Sequence, residues 1–169
     1  MSTTSSLDGR YLFIWRHADA GTPLDDAEAD FHRQLSGKGR KQAQAAARWL
    51  QAVAGPQLTL LSSPAPRAWQ TASFAGPPSR LDDLAPGQPV AAARAALRAC
   101  WPQPGGPVVL VGHQPQLGEL ISSLLGPQPF ALTLRKAGIW ALRYRAEREP
   151  AVVVVSVRDP AFTAARLSD

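Results

Sequence analysis

Cysteine occurs once in the 169-residue chain, at Cys100, which excludes an internal disulfide and a thiolate metal cluster. A thiolate that attacks phosphorus needs amide donors or cations around it to lower its pKa. Cys100 instead follows an alanine-rich run and precedes Trp101-Pro102, so it reads as a buried helical residue. Histidine is nearly as scarce, with His17, His32 and His113 making up all 3, and none forms a close ligand pair in sequence. A metal-dependent phosphoesterase built from His17, Asp19 and His113 would therefore be short of ligands. No apolar run approaches the ~18 residues that cross a bilayer. The opening Met1-Ser2-Thr3-Thr4-Ser5-Ser6 lacks the cationic start and apolar stretch of a secretory signal, so a cytoplasmic protein with no membrane partner is expected. Lysine and arginine are scattered rather than clustered among stacking aromatics, which argues against a nucleic-acid partner.

Charge is modest in amount but lopsided. The 18 Lys and Arg outnumber the 13 Asp and Glu for a net +5, a balance that suits anionic ligands. With 45% hydrophobic and 18% charged residues the composition is that of a globular protein. Length predicts one domain over residues 11–169, after a flexible N-terminus at 1–10.

Tyr11-Leu12-Phe13-Ile14-Trp15 reads as a strand buried on both faces, and it stops at Arg16-His17-Ala18. The polar segment 19–34 has little periodicity and is long for a connector, and long loops beside strand ends are often functional. Ser36 then caps a helix whose Ala43, Ala46, Ala47, Leu50 and Val53 or Ala54 share one face, and Gly55-Pro56 ends it. Leu58–Leu61 is a second strand stopping at Ser62-Ser63-Pro64, and Pro64 and Pro66 suit a helix entry that places Arg67 in the first turn. Residues 75–89, rich in Gly and Pro, predict a loop with one short strand. Val90–Cys100 reads as a helix. Val108–Val111 is a third buried strand followed by Gly112-His113, and Leu117, Leu120, Ile121, Leu124 and Leu125 then repeat at helical spacing. Ile139–Tyr144 and Val152–Val157 read as a closing hairpin.

Three strand-to-helix units predict an α/β fold with a parallel sheet, in which ligands bind at the carboxyl ends of the strands. His17, Arg67 and His113 all fall at such ends. Two imidazoles and at least two guanidiniums at one edge describe a pocket for a small dianionic oxyanion, since arginine forks match phosphate oxygens. Phosphate-monoester hydrolysis also needs a nucleophile and charge stabilisation in the transition state. A neutral imidazole supplies the first without a metal or other cofactor, and arginines with a second, protonated histidine supply the rest.

Arg16-His17-Ala18, then Ser63-Pro64-Ala65-Pro66-Arg67-Ala68-Trp69-Gln70-Thr71-Ala72, then Val111-Gly112-His113, in this order, resemble the histidine phosphatase superfamily and within it the short SixA-type phosphohistidine phosphatases. The resemblance implies a three-layer αβα sandwich with a mostly parallel central sheet, phosphoglycerate mutase-like, without the cap of larger relatives. It implies His17 as nucleophile, Arg16 and Arg67 as phosphoryl ligands, and His113 as the group that stabilises phosphoryl charge. Asp30-Phe31-His32-Arg33-Gln34-Leu35 is similar to the SixA loop, which adds Arg33 to the pocket and makes Asp30 a candidate proton donor. Asp83 is the alternative acid, at the position of the phosphoglycerate-mutase-like carboxylate. Ser36 is a candidate phosphate contact as well as a helix cap, and His32 is expected to be solvated. Ala18 stands where the superfamily usually has glycine, a change that matters only if the backbone there needs positive φ. The implied substrate is a phosphohistidine-bearing protein, or else a small phosphorylated molecule. A non-catalytic phosphate-binding module would use the same arginines.

Overall fold

The computed structural model describes residues 7–161, so the first six residues of the expected flexible stretch 1–10 lie outside it. One six-stranded sheet runs through the molecule in the order β3-β2-β4-β1-β5-β6. Its strands are β1 (Tyr11–Arg16), β2 (Thr59–Ser62), β3 (Ser79–Arg80), β4 (Val108–Gly112), β5 (Ile139–Tyr144) and β6 (Val152–Arg158). The β3-β2-β4-β1 portion is parallel, and the β5–β6 hairpin continues the sheet antiparallel from β1. The helices are α1 (Ala27–Phe31), α2 (Gly37–Ala54), α3 (Pro66–Ser73), α4 (Val90–Cys100) and α5 (Gln116–Leu125).

Side-chain alternation along the buried strands assigns the helices to two faces. Leu12 and Ile14 of β1, with Val108 and Leu110 of β4, pack against Ala93 and Leu97 of α4 and Leu117, Leu120 and Ile121 of α5. Phe13 and Trp15, with Val109 and Val111, pack against Ala46, Ala47, Leu50 and Ala54 of α2 and Ala68 and Ala72 of α3. The second face sets large strand residues against small helical ones, so α2 and α3 lie close to the sheet. Each fully buried Leu, Ile or Phe contributes about 1.5–3 kcal/mol to this arrangement.

One connector differs from expectation, and a second has its expected short strand together with an added 3-10 turn. The segment 19–34 contains α1, held at its start by Asp26, whose carboxylate accepts from Ala29 N at 2.7 Å. The loop 75–89 holds the two-residue β3 and a 3-10 turn at Asp82–Leu84, whose Leu84 is fully buried. Cys100 ends α4 with burial pushing its thiol pKa up, in keeping with an inert helical thiol.

Strand order and register bring the motifs together. β4 lies between β1 and β2, pairing Trp15 with Val111, Arg16 with Gly112 and Ser62 with Val111. The ladders extend one step further, with His17 N donating to Gly112 O at 3.0 Å and Ser63 N to Val111 O at 2.9 Å. His17, Ser63 and His113 are thereby level, on three neighbouring strand ends.

Candidate active site

A cavity of about 490 Å³ opens at this edge, lined by Arg16, His17, Arg33, Arg67, His113 and Lys136 among its charged and titratable groups, with Asp30 and Glu119 as its carboxylates. The His17 and His113 rings lie 5.0 Å apart between centroids, tilted by 51°.

The His17 ring nitrogen Nδ1 donates to its neighbour's carbonyl, Ala18 O, at 2.8 Å. A carbonyl can only accept, so the proton sits on Nδ1 and Nε2 keeps its lone pair. Burial first, then the positive charges of Arg67, Arg16 and Arg33, push the His17 pKa down to about 4. The ring is thus a neutral base at neutral pH. Its main chain is pinned from both sides: Gly112 O accepts from His17 N, and Ala137 N donates to the carbonyls of Arg16 and His17 at 3.1 Å. Ala18 N donates to Thr71 Oγ1 at 3.0 Å. Among the described residues positive φ outside glycine occurs at Ala137 and Glu147, so alanine at position 18 is unstrained.

His113 corrects an expectation. Burial, then the charges of His17, Arg67, Arg16 and Arg33, push its pKa down to about 2, so in the free site it is neutral rather than an imidazolium. Fixed positive charge therefore comes from the guanidiniums. Arg16 NH1 donates to Leu134 O at 2.6 Å, and Arg67 NH1 donates to Asp30 O at 2.7 Å and Phe31 O at 3.2 Å. The Nε of each is buried with no hydrogen-bond partner. The guanidiniums that line the cavity match the oxygens of an oxyanion.

Asp30 lines the cavity but is no reservoir of protons there. Its carboxylate accepts from Arg33 Nε at 2.7 Å and Leu24 N at 2.9 Å and lies 3.4 Å from Arg67 NH2. The Arg33 hydrogen bond foremost holds its pKa below the usual carboxylate range, so it stands ionised and braces two arginines. Asp83 lies in the 3-10 turn outside the cavity wall, where its carbonyl accepts from Gln116 Nε2 at 2.8 Å.

Ser36 fills one of its two expected roles, the helix cap, and not the place of a cavity residue. It caps α2 by accepting from Gly39 N at 2.9 Å and donates to Asp19 Oδ2 at 2.7 Å, and it does not line the cavity. Asp19 is bound on its other oxygen by Lys136 Nζ at 2.7 Å, and these two partners hold its pKa well below the ordinary value. It lines the neighbouring cleft instead, so His17, Asp19 and His113 do not make a ligand set. Among the described residues no group of His, Cys, Asp and Glu could hold a metal ion. His32 is exposed as expected.

Sequence reasoning assigned no role to Ser63, Lys136, Gln116 or Glu119. Ser63 stood within a quoted motif, and its place after a strand was the available signal. Lys136 comes from a loop with no pattern pointing to it, and it reaches the cavity because Ala137 and Gly138 fold against the end of β1. Gln116 and Glu119 follow His113 on the first turn of α5, one turn apart.

Two imidazoles among converging guanidiniums at the carboxyl edge of a mostly parallel sheet make an α/β protein with a site suited to a small oxyanion. The model of the histidine phosphatase superfamily (branch 1) matches residues 12–83, which covers the first two motifs and ends before β4. An uncharacterized protein of Picosynechococcus sp. is 38% identical over 144 residues, 81% of this chain and 87% of that one. By the match over residues 12–83 the chain belongs to the histidine phosphatase superfamily. Its fold is similar to that of the protein histidine phosphatase SixA complexed with tungstate, with TM-score 0.72 and 23% identity over 89% of this chain and 97% of the other. It is also similar to a phosphoserine phosphatase mutant from Entamoeba histolytica in complex with phosphoserine, with TM-score 0.67 and 17% identity over 89% and 97%. At these identities the likeness is one of fold.

Proposed function

We propose that the protein is a phosphatase that works through a phosphohistidine intermediate on His17 and removes phosphate from phosphohistidine borne on a protein. The observation that carries this reading is the tautomer of His17: its Nδ1 proton is committed to the Ala18 carbonyl, which leaves the Nε2 lone pair among the guanidiniums of Arg16, Arg33 and Arg67. In the first step Nε2 forms a bond to phosphorus while the bond to the leaving nitrogen breaks and takes its electron pair with it. Water then attacks the same phosphorus, the His17–phosphorus bond breaks, and phosphate departs with the neutral ring restored. No metal is needed, because the guanidiniums neutralise the equatorial oxygens throughout.

The leaving group argues for the substrate. With Asp30 ionised and Asp83 outside the cavity wall, neither carboxylate expected as an acid is placed to protonate a leaving group, and a substrate whose leaving imidazole is already protonated asks for none. The SixA-like fold supports the same choice. The likeness to a phosphoserine phosphatase makes a small phosphoester the second reading. A substrate panel decides between them: a phosphohistidine protein against sugar phosphates, phosphoserine and nucleotides, each with the parent and with His17→Ala. The phosphohistidine protein is expected to give the highest kcat/KM, and a higher value for any small ester shifts the assignment to that class. Phosphate binding without turnover by the parent would make the chain a binding module.

A further inference from the structure

Ser63 is fully buried at the end of β2, and its Oγ lies 2.8 Å from His113 Nε2. The same oxygen accepts from Ala65 N at 3.2 Å. A hydroxyl has one proton to give and two lone pairs, and Ala65 takes one of the latter. If His113 carried its proton on Nε2, it would occupy the other lone pair, and the Ser63 proton would be a buried donor with no acceptor. If Ser63 donates instead, its proton has an acceptor in Nε2 and its oxygen keeps the bond from Ala65 N. Buried hydroxyls are rarely left unpaired, so the inventory selects the second arrangement.

We propose that Ser63 is a positioning residue: its hydroxyl donates to His113 Nε2, fixes the proton on Nδ1, and so makes His113 a hydrogen-bond donor to the phosphoryl group. His113 lines the cavity, and with Nε2 taken by Ser63 the ring nitrogen free for a cavity ligand is Nδ1. The device matters because His113 is neutral in the free site, and a neutral ring stabilises an anion only through its N–H. Both rings then carry the proton on Nδ1, with opposite consequences. His17 has its N–H spent on a carbonyl and presents a lone pair, whereas His113 has its lone pair spent on Ser63 and presents an N–H. Nucleophile and electrophilic stabiliser are made from one side-chain type by the choice of partner.

The donor role rests on the phosphatase reading, but the tautomer does not, so it is measured first, in substrate-free protein. Long-range proton–nitrogen correlation spectra of histidine-labelled parent protein at neutral pH, with His113 assigned by its loss in His113→Gln, are expected to show the Nδ1–H form. An Nε2–H form in the parent overturns the proposal, and this arm needs no variant at position 63. Ser63→Ala is expected to move His113 toward Nε2–H and to lower kcat about tenfold to a hundredfold with KM within about threefold, and Ser63→Thr to restore both. An unchanged His113 tautomer in folded Ser63→Ala also overturns it. A parent protein with the Nδ1–H form that hydrolyses nothing in the substrate panel refutes the phosphatase reading and leaves Ser63 as the residue that sets the ring.

Discussion

On the cavity floor, Arg16, His17, Arg67 and His113 sit at the ends of β1 and β4 and the start of α3; His17 and His113 are buried and hydrogen-bonded at the sheet edge, and Arg67 is buried and donates to the carbonyls of Asp30 and Phe31 in α1. On the rim, Gly87, Gln88, Pro115 and Glu119 are exposed and come from a loop and the first turn of α5. One buried side chain joins the two: Gln116 Nε2 donates to the carbonyls of Asp83, Gln88 and Pro89 at 2.8, 3.1 and 3.3 Å. The floor is fixed by backbone that the core already orders, so its geometry costs little to hold. The rim rests on short, exposed segments that can change without disturbing the sheet. In the proposed mechanism the phosphoryl chemistry falls to the floor and substrate choice to the rim.

The largest effect expected from breaking that division is at the nucleophile. His17→Ala lowers kcat by about 10⁴-fold or more while inorganic phosphate still binds, read by steady-state kinetics and calorimetry side by side. Turnover at the parental rate would remove His17 from the mechanism. Arg67→Ala comes next, because it deletes a buried fork that no neighbour replaces. We expect kcat/KM to fall by about 10²–10³ for every substrate alike. A loss confined to one substrate would put Arg67 on the rim side of the comparison.

Asp30→Asn tests whether the carboxylate braces or donates. A brace predicts a loss of about threefold to thirtyfold that is the same for good and poor leaving groups, and a proton donor predicts a loss that grows as the leaving group worsens. Glu119→Gln sharpens the rim. It is expected to change the ratio of kcat/KM between a phosphohistidine peptide and a sugar phosphate by about threefold to tenfold, leaving phosphate affinity to the floor.

The smallest effect is in pH. His17 and His113 both have folded pKa values below 6.5, so as pH falls through 6.5 the unfolded chain takes up protons that the folded chain refuses. Stability therefore drops from pH 7 downward, for His17 until about pH 4, with a slope of up to about 1.4 kcal/mol per pH unit for each histidine. Denaturant melts of parent and His17→Ala between pH 7 and 5 are expected to differ in that slope. The free enzyme should also keep its nucleophile unprotonated throughout this range, so an acid limb of kcat/KM centred near 6.5 would contradict the neutral floor.

Where residues speak for themselves, the sequence was legible. The apolar runs 11–15 and 108–111, the Ser36 cap and the leucine spacing of α5 each declare an element through contacts within a few residues. Arg16, Arg67 and His113 were recognisable because each lies at the end of a strand, just beyond it, or in the first turn of the helix that follows. Where side chains meet partners far along the chain, it was not. Asp30 looks like an acid until Arg33 and Arg67 surround it, and Ser36 looks like a ligand until Asp19 takes its proton.

Amino-acid order alone determined the long strands, the helices other than α1 and the identity of the groups delivered to one edge, since period and capping are local properties of the chain. Only the tertiary structure decided that β4 enters between β1 and β2, which sets His113 beside His17 and against Ser63. It also decided the protonation of both rings. Spatial neighbours follow from how twisted strands pack, and charge state follows from burial and hydrogen-bond partners, neither of which is written in the spacing of residues along the chain.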